Sequence, residues 1–588
     1  IAALWEFLVM SGMHLALMMP MMADFFETGI GSGPMNAGNF ATWACFGVAL
    51  GAALRLKNKD DRSTSFAAFA SGILGGVTEP TLYGICFRFT RCFVTMAVGG
   101  FVGGAIAGIF DLKGYAMTSA NFLSLLCYVG GTNANIAVGV VASFSSLIVA
   151  AVLLVIYMVF GRKLPASKQI YGKEGFVIVG LAWILWSAFG ALPFVISGSI
   201  PYYIDALFET ISGFTTTGST ILADIEALPM GISFWRSFTH WIGGMGVLVF
   251  VMMITSLDDE NAMPLMRAEV PGPEADKLVP KARHTARLLY GMYFVLTAAE
   301  VVFLLFGGMN LYDALLHAFS TAGTGGFSNR AASVSFYDSA YIDGVITVFM
   351  ILFGINFNLY FFILLKDWKS ILKNEELWAY LGIVGVSIAI ITGNILKIYG
   401  TVAHAFRYAS FQVGSIITTT GFATADYDQW PELSKSILLA LMFVGACAGS
   451  TGGGIKVSRL LIIVKSIRRE VRKMLHPNAV TIIKVNGKKI GQDTLKNVNL
   501  YLTCYIIIMI VSILLVSIDN FDFATTFSGV LTTMSNVGPG ISKVGPVMNF
   551  HPFSTVSKLV FCFDMLIGRL EIFPYLLLLS PELWRRRF

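Results

Sequence analysis

Four short glycine-centred stretches carry the residue types that could handle a cation. They read Thr216-Thr217-Gly218, Thr324-Gly325-Gly326, Thr419-Thr420-Gly421 and Asn536-Val537-Gly538, and their final glycines stand 108, 95 and 117 residues apart. Each follows a short amphipathic segment set between two long apolar runs. A unit repeated four times at such spacing predicts a pseudo-fourfold object. Rings of backbone carbonyls around an axis are how proteins strip water from alkali cations. Glycine suits such a ring, because aiming consecutive carbonyls at an axis takes the backbone outside the regions open to other residues. A side chain there would also narrow the passage. Thr217, Thr420 and Asn536 can support this backbone by hydrogen bonds or add ligands.

Other groups could act at membrane depth. The run from Gly445 to Lys456 holds Gly445, Gly449, Gly452, Gly453 and Gly454. Glycine at this density unwinds a helix, and irregular backbone in a membrane is tolerated only inside protein or along a water-filled path. Ile455 separates Gly454 from Lys456 and no strand precedes the run, so it does not satisfy the phosphate-loop pattern. It reads as a flexible barrier below the glycine ring. Arg569 is a charge inside the last apolar run. Two readings stand: a barrier that cations must pass, or a group held by Glu571 or by the carbonyls of the unwound loop. Near the start, His14 lies in an apolar run and Glu79 precedes Pro80. An ionisable group at that depth is a functional site by default. The alternative is structural, His14 bonding a backbone carbonyl and Glu79 the N–H groups that Pro80 frees.

The elements that must position these groups follow from composition. Of 588 residues, 56% are hydrophobic and 13% charged, against about 25% charged in soluble domains. Apolar runs near 20 residues recur from end to end, each long enough to cross a hydrocarbon core of about 30 Å. The expected fold is an all-α polytopic membrane protein embedded in lipid, with four helix–pore-loop–helix repeats preceded by a separate helical segment. The net charge of +6 lies in short loops and is no nucleic-acid signature. The seven cysteines include no C-x-x-C pair and read as core residues, and the seven scattered histidines support no metal site. No catalytic constellation is present, so the chain is not expected to be an enzyme or to hold a covalent cofactor. It begins at Ile1, from which a missing true start is expected, and it has no cleavable-signal pattern.

Residues 1–158 form the first segment, with apolar runs near 1–22, 39–54, 92–110 and 134–160 and a charged loop over 55–62. Residues 159–174, with Pro165 and several basic residues, are the junction. Residues 175–588 hold the repeats, at about 175–256, 285–366, 375–466 and 495–588. Asp205, Asp313 and Asp522 stand at the starts of three half-length helices, where an acid suits the positive end of the helix dipole. Basic residues between the repeats, including Lys281, Lys366, Arg459, Lys465, Arg468 and Arg472, face the cytoplasm by the positive-inside rule. Opposite lie Asp224, Glu226, Asp338, Asp343, Asp426, Asp428 and Glu432. They either raise the local cation concentration or are simply solvated.

Gly76-Val77-Thr78-Glu79-Pro80, with Gly12-Met13-His14 upstream, resembles the C-terminal half of the IIC component of glucose/β-glucoside-type phosphotransferase permeases. That resemblance implies sugar binding by His14 and Glu79. Only half of such a component is present, and its phosphorylatable cysteine motif is absent. From about residue 170 the chain resembles the TrkH/KtrB/HKT superfamily of potassium uptake proteins, most closely the TrkH type. Phe214–Thr220, His240–Gly246, Ser320–Phe327, Thr418–Thr424, Gly449–Lys456 and Ser535–Gly540 carry the likeness. It implies a bacterial cytoplasmic-membrane K⁺ transporter with filter glycines Gly218, Gly326, Gly421 and Gly538, a gating loop over 445–456 and a pore-facing Arg569. It further implies a homodimer and a cytosolic nucleotide-binding regulatory subunit of the TrkA kind. A sugar-permease fragment, or a non-functional chimera of natural or artefactual origin, is the alternative.

Overall fold

Backbone polar groups in hydrocarbon have no partner but each other, so the apolar runs fold as helices. The structure, a computed structural model, describes residues 2–10, 14–31, 33–56, 58–89, 91–160, 172–246, 282–477, 482–570 and 572–581. The junction at 161–171, the inner connection 247–281 with the end of its apolar run, and Glu571 lie outside the described residues. The chain divides into two compact parts, Ile1–Lys168 and Gln169–Phe588.

The main helices of the first part are α1 (Trp5–Met10), α2 (His14–Thr28), α3 (Gly33–Arg55), α4 (Lys59–Gly75), α5 (Cys92–Ile109) and α6 (Asn133–Phe160). Helices α3, α5 and α6 hold stretches long and apolar enough to cross a membrane. They meet at small residues: a Cβ on Gly51 would lie 2.9 Å from the Ala151 carbonyl oxygen, and one on Gly99 2.7 Å from that of Ser146. The apolar run expected over 1–22 is divided between α1 and α2. The charged stretch expected as a loop over 55–62 instead starts α4. Asn58 caps that helix, accepting from the Asp60 N–H at 3.1 Å, and Asp60 and Asp61 occupy the first turn.

In the second part the first repeat holds α7 (Gly172–Gly190), α8 (Tyr203–Phe214) and α9 (Met230–Met245). The second holds α10 (Ala282–Phe306), α11 (Leu311–Gly323), α12 (Ala340–Phe353) and α13 (Phe357–Leu364). The third holds α14 (Glu375–Tyr399), α15 (Val402–Ile417), α16 (Glu432–Val444) and α17 (Val457–Leu475). The fourth holds α18 (Gln492–Val516), α19 (Phe523–Met534), α20 (Thr555–Arg569) and α21 (Phe573–Leu579). Each repeat opens with a candidate span: Gly175–Ile196, Leu288–Phe306, Glu375–Tyr399 and Gln492–Asp519. A half-length helix follows in each case (α8, α11, α15, α19).

The half-helices begin where the sequence supplies oxygen to free N–H groups. Asn310, Thr401 and Asp522 cap α11, α15 and α19 with their side chains. The caps are thus an amide in the second repeat, a threonine hydroxyl in the third and a carboxylate in the fourth. At Asp522 the hydrogen bond from the Thr525 hydroxyl holds the carboxyl below its usual range. Asp205 is paired with Lys558 of the fourth repeat at 2.7 Å. Asp313 is buried and collects Asn329 at 2.6 Å, Arg330 at 3.2 Å and Tyr337 at 2.8 Å, all from the loop beyond its own glycine.

The second span was expected to break only in the third repeat. It breaks in others too. Helices α12 and α13 meet at 91°. Helix α9 ends at Gly246, whose φ is +91°. Helices α20 and α21 part at Ile572, φ +68°, just before Pro574, which cannot continue a helix from the preceding turn. Two surface expectations also change. Arg459 does not lie in a cytoplasmic loop but is buried, its guanidinium 4.1 Å from the Tyr501 ring centroid. Asp343 does not face solvent but is 2% exposed and accepts from Arg407 at 2.7 Å. Beyond α17, Lys484–Val485 pairs antiparallel with Lys488–Lys489. Asn486-Gly487 joins them with both residues at positive φ, as a tight hairpin requires.

Candidate functional site

The four glycine stretches share one local geometry. In each, the residue two before the glycine is left-handed: Thr216 at φ +55°, Thr324 at +55°, Thr419 at +59° and Asn536 at +53°. Its N–H bonds the carbonyl three residues back, and the next N–H bonds the carbonyl five back. Thr216→Gly213 and Thr217→Ser212 set the pattern, and Thr324→Thr321 with Gly325→Ser320 repeat it. Thr419→Ile416 with Thr420→Ser415, and Asn536→Thr533 with Val537→Thr532, complete it. This is the Schellman closure of a helix C-terminus, which ordinarily employs glycine at the left-handed position. Three threonines hold it here, although β-branched residues are genuine outliers at positive φ. Backbone strain of this kind persists only where the surroundings over-determine it.

The glycines then follow at φ +83° (Gly218), +75° (Gly326), +85° (Gly421) and +102° (Gly538). Each abuts the next repeat. A Cβ on Gly218 would strike the Gly325 carbonyl oxygen, one on Gly326 that of Thr420, and one on Gly421 that of Val537. A Cβ on Gly538 would lie 2.7 Å from the Thr217 carbonyl oxygen. The contacts run from repeat one through two, three and four back to one, so the ring closes. Its walls are buried: Thr216, Thr217, Thr324, Thr419, Thr420, Asn536 and Val537 are all inside the protein.

Side chains brace the ring. The Thr215 and Thr217 hydroxyls meet at 2.8 Å and those of Thr418 and Thr420 at 2.7 Å. Asn536 donates to the Thr217 hydroxyl and to the Met565 carbonyl, both at 2.9 Å. Behind the first stretch, Glu209 accepts from Arg236 at 2.6 Å and from the Ile221 N–H at 3.0 Å, with both partners buried. Arg236 also reaches the Ser328 carbonyl at 3.0 Å. Neither member of this pair stood out in the sequence. Their spacing across separate helices carries no motif.

The unwound segment touches the ring from repeat three. The Gly453 N–H donates to the Thr419 hydroxyl at 2.6 Å. A Cβ on Gly453 would collide with the Ser535 carbonyl oxygen, and one on Gly452 would lie 2.9 Å from that of Thr418. Gly445, Gly449 and Gly454 have φ of +70°, +69° and +76°. The Lys456 ammonium folds back onto the Gly452 carbonyl, and the residue is 2% exposed. Arg569 donates to the Thr451 carbonyl at 2.7 Å and to the Gly243 and Gly244 carbonyls at 2.6 Å each. The Thr451 carbonyl of the unwound loop is thus one of its partners, while Glu571 lies outside the described residues. Glu376 was missed in the sequence. It is buried on α14 and accepts from the N–H groups of Ala448 at 2.7 Å and Ser458 at 3.1 Å, on either side of the break. An acid in the first turn of an apolar helix gave the only signal.

In the first part, His14 starts α2 and is half-buried, with its Nδ1 lacking a hydrogen-bond partner among the described residues. Glu79 opens a three-residue helical turn and is exposed. Among the described residues no hydrogen bond joins the two. No group of three or more His, Cys, Asp or Glu side chains could hold a metal ion among the described residues.

Comparison with known proteins adds an independent line. A family model, TrkH, described as a cation transport protein, matches residues 144–382 and 381–586. It begins inside α6 and leaves 1–143 unmatched, and none of these matches supports the sugar-permease resemblance. The Trk system potassium uptake protein TrkH of Salmonella typhimurium is 38% identical over 423 residues, 71% of this chain and 87% of that protein. The Trk system potassium uptake protein TrkG of Escherichia coli is 33% identical over 426 residues, 71% of this chain and 86% of that protein. The crystal structure of the potassium transporter TrkH from Vibrio parahaemolyticus is similar at a TM-score of 0.65 and 30% identity, covering 85% of this chain and 100% of that one.

Proposed function

Because the chain belongs to the TrkH family of cation transport proteins, we propose that it takes up potassium ions across the cytoplasmic membrane through the ring of Gly218, Gly326, Gly421 and Gly538. The observation that carries this is the closed order of contacts, each glycine against the backbone of the next repeat. Backbone alternating between left-handed and ordinary φ turns successive carbonyls toward one side. Four such strands, contributed by Thr216–Gly218, Thr324–Gly326, Thr419–Gly421 and Asn536–Gly538, supply oxygens to replace the water around a dehydrated cation. Close packing without Cβ atoms fixes their spacing.

The loop from Gly445 to Lys456 is the gate in this reading. It is irregular backbone tied to the ring through Gly453 and Thr419, and it is anchored by side chains from other helices. Arg569 places a cation beside it, opposing ion passage electrostatically while the loop is closed. Potassium is the transported ion, and the process needs no covalent chemistry. The names of the relatives describe a Trk system, which supports a partner subunit. The basic helix α17 and its hairpin, on the side assigned to the cytoplasm by charge, suit a cytosolic nucleotide-binding regulator of the TrkA kind. A homodimer is part of the same reading. The first part, about 1–158, is a separate membrane segment in this reading.

The test is complementation. In a cell lacking its own potassium uptake systems, the full chain expressed with a Trk regulatory subunit is expected to restore growth at low external K⁺. Well-expressed, membrane-inserted protein that restores no growth and carries no K⁺ flux overturns the proposal.

A further inference from the structure

The residue before each ring glycine is Thr217, Gly325, Thr420 or Val537. Three of the four carry a β-branched side chain, and the second repeat carries none. Backbone conformation does not explain the exception, because Gly325 is absent from the glycines with positive φ whereas Gly326 is among them. Space does explain it. A Cβ on Gly325 would run into the imidazole of His240, with Nδ1, Cγ and Cε1 as its nearest atoms. His240 comes from α9 of the first repeat, so the ring of one repeat fills the side-chain position of another. The Gly325 carbonyl oxygen is the atom that meets Gly218. Gly325 therefore contacts the imidazole on one hand and the ring glycine of repeat one on the other.

His240 is itself fixed by packing. It is 0% exposed. Its ring stacks on Phe327, centroids 4.1 Å apart, and the Arg236 guanidinium lies 3.5 Å from the Phe327 centroid. Arg236 is in turn held by Glu209.

We propose that His240 is a positioning residue for the ion ring: its imidazole stands in for the side chain that Gly325 lacks and holds the Gly325 carbonyl against Gly218, so that ion selectivity depends on it. This rests on the glycine ring being the selectivity site. Three variants test it in the full chain reconstituted in vesicles with its regulatory subunit: His240→Ala, Gly325→Thr, and the pair. Each single variant is expected to lower K⁺ over Na⁺ selectivity by about tenfold, the first by slackening the strand and the second by collision. The pair, which copies the threonine of repeats one and three into vacated space, is expected to recover to within about twofold of the parent, a coupling of opposite-signed defects. Recovery is the readout that a merely structural role would not give, since two independent defects add. Should His240→Ala fail to accumulate, rescue of accumulation and selectivity by the pair supports the same conclusion. A pair no better than its worse single variant, or His240→Ala with parental selectivity, overturns it. Gly218→Ser run alongside separates the two levels: if it shifts selectivity while the His240 series does not, only this inference falls. If it too has no effect, the ring reading falls with it.

Discussion

Arg569 donates a hydrogen bond to the carbonyl of Thr451 at 2.7 Å, tying the end of α20 to the middle of the unwound segment in the third repeat. The same guanidinium holds the Gly243 and Gly244 carbonyls. One planar group with five donors thus joins three repeats at the level of the loop, a geometry an ammonium cannot reproduce.

Replacing Arg569 by alanine releases the loop from α20 and removes the positive charge beside it. K⁺ flux in vesicles without activating nucleotide is expected to rise several-fold, and Arg569→Lys to lie between alanine and the parent. Basal flux unchanged in both variants would count against a gating role for this contact.

Glu376 satisfies two N–H groups on either side of the break. Glu376→Ala leaves both buried and unpaired, with an expected loss of about 1–3 kcal/mol. The measurement is the thermal midpoint in detergent, together with basal flux. A variant as stable as the parent would show that Ala448 and Ser458 find other partners.

The Arg236–Glu209 pair is buried behind the first filter stretch. Glu209→Gln leaves a charge without its partner, and breaking such a pair costs about 3–5 kcal/mol. Replacing both, as Arg236→Met with Glu209→Leu, is expected to recover much of the stability but not the position of Ile221 or Ser328. The double variant should therefore fold with reduced selectivity. Equal destabilisation by single and double variants would contradict the pair's role.

Thr216 holds a left-handed position that Asn536 holds in repeat four. Asparagine tolerates that region, and a β-branched residue there costs about 1–2 kcal/mol. Thr216→Asn is accordingly expected to raise the thermal midpoint. A fall would mean that the Thr216 methyl contributes packing that outweighs the backbone strain.

Much of this arrangement is legible in the sequence. Four glycines at matched positions give the repeats, and the glycine density of 445–456 gives the break in the third repeat. The closing order of the ring is not legible, because it depends on contacts between residues far apart in the chain, up to the pair Thr217 and Gly538 at its two ends. Nor is the strain at Thr216, Thr324 and Thr419. Threonine at a Schellman position runs against local preference and is imposed by tertiary packing. Gly354, at the α12–α13 bend, stood in a run that reads as one continuous span. The acids Asp313 and Asp343 looked like solvated loop residues or dipole partners, yet each is buried by an arginine from another segment. His14 and Glu79 drew attention by type and by the motifs around them, and among the described residues no hydrogen bond joins them. His240 was visible only as part of a motif, since the space it fills exists only once α9 and the second filter strand are packed together.

The central claim is that four equivalent glycines form one cation-selective ring, and bi-ionic K⁺/Na⁺ flux in vesicles tests it most directly. Four single variants are measured, Gly→Ser at 218, 326, 421 and 538. Each is expected to lower K⁺ over Na⁺ discrimination by about tenfold, corresponding to about 1.4 kcal/mol, because each Cβ meets the backbone of the next repeat. Parental discrimination in any one of the four, in protein that still conducts, would contradict the ring.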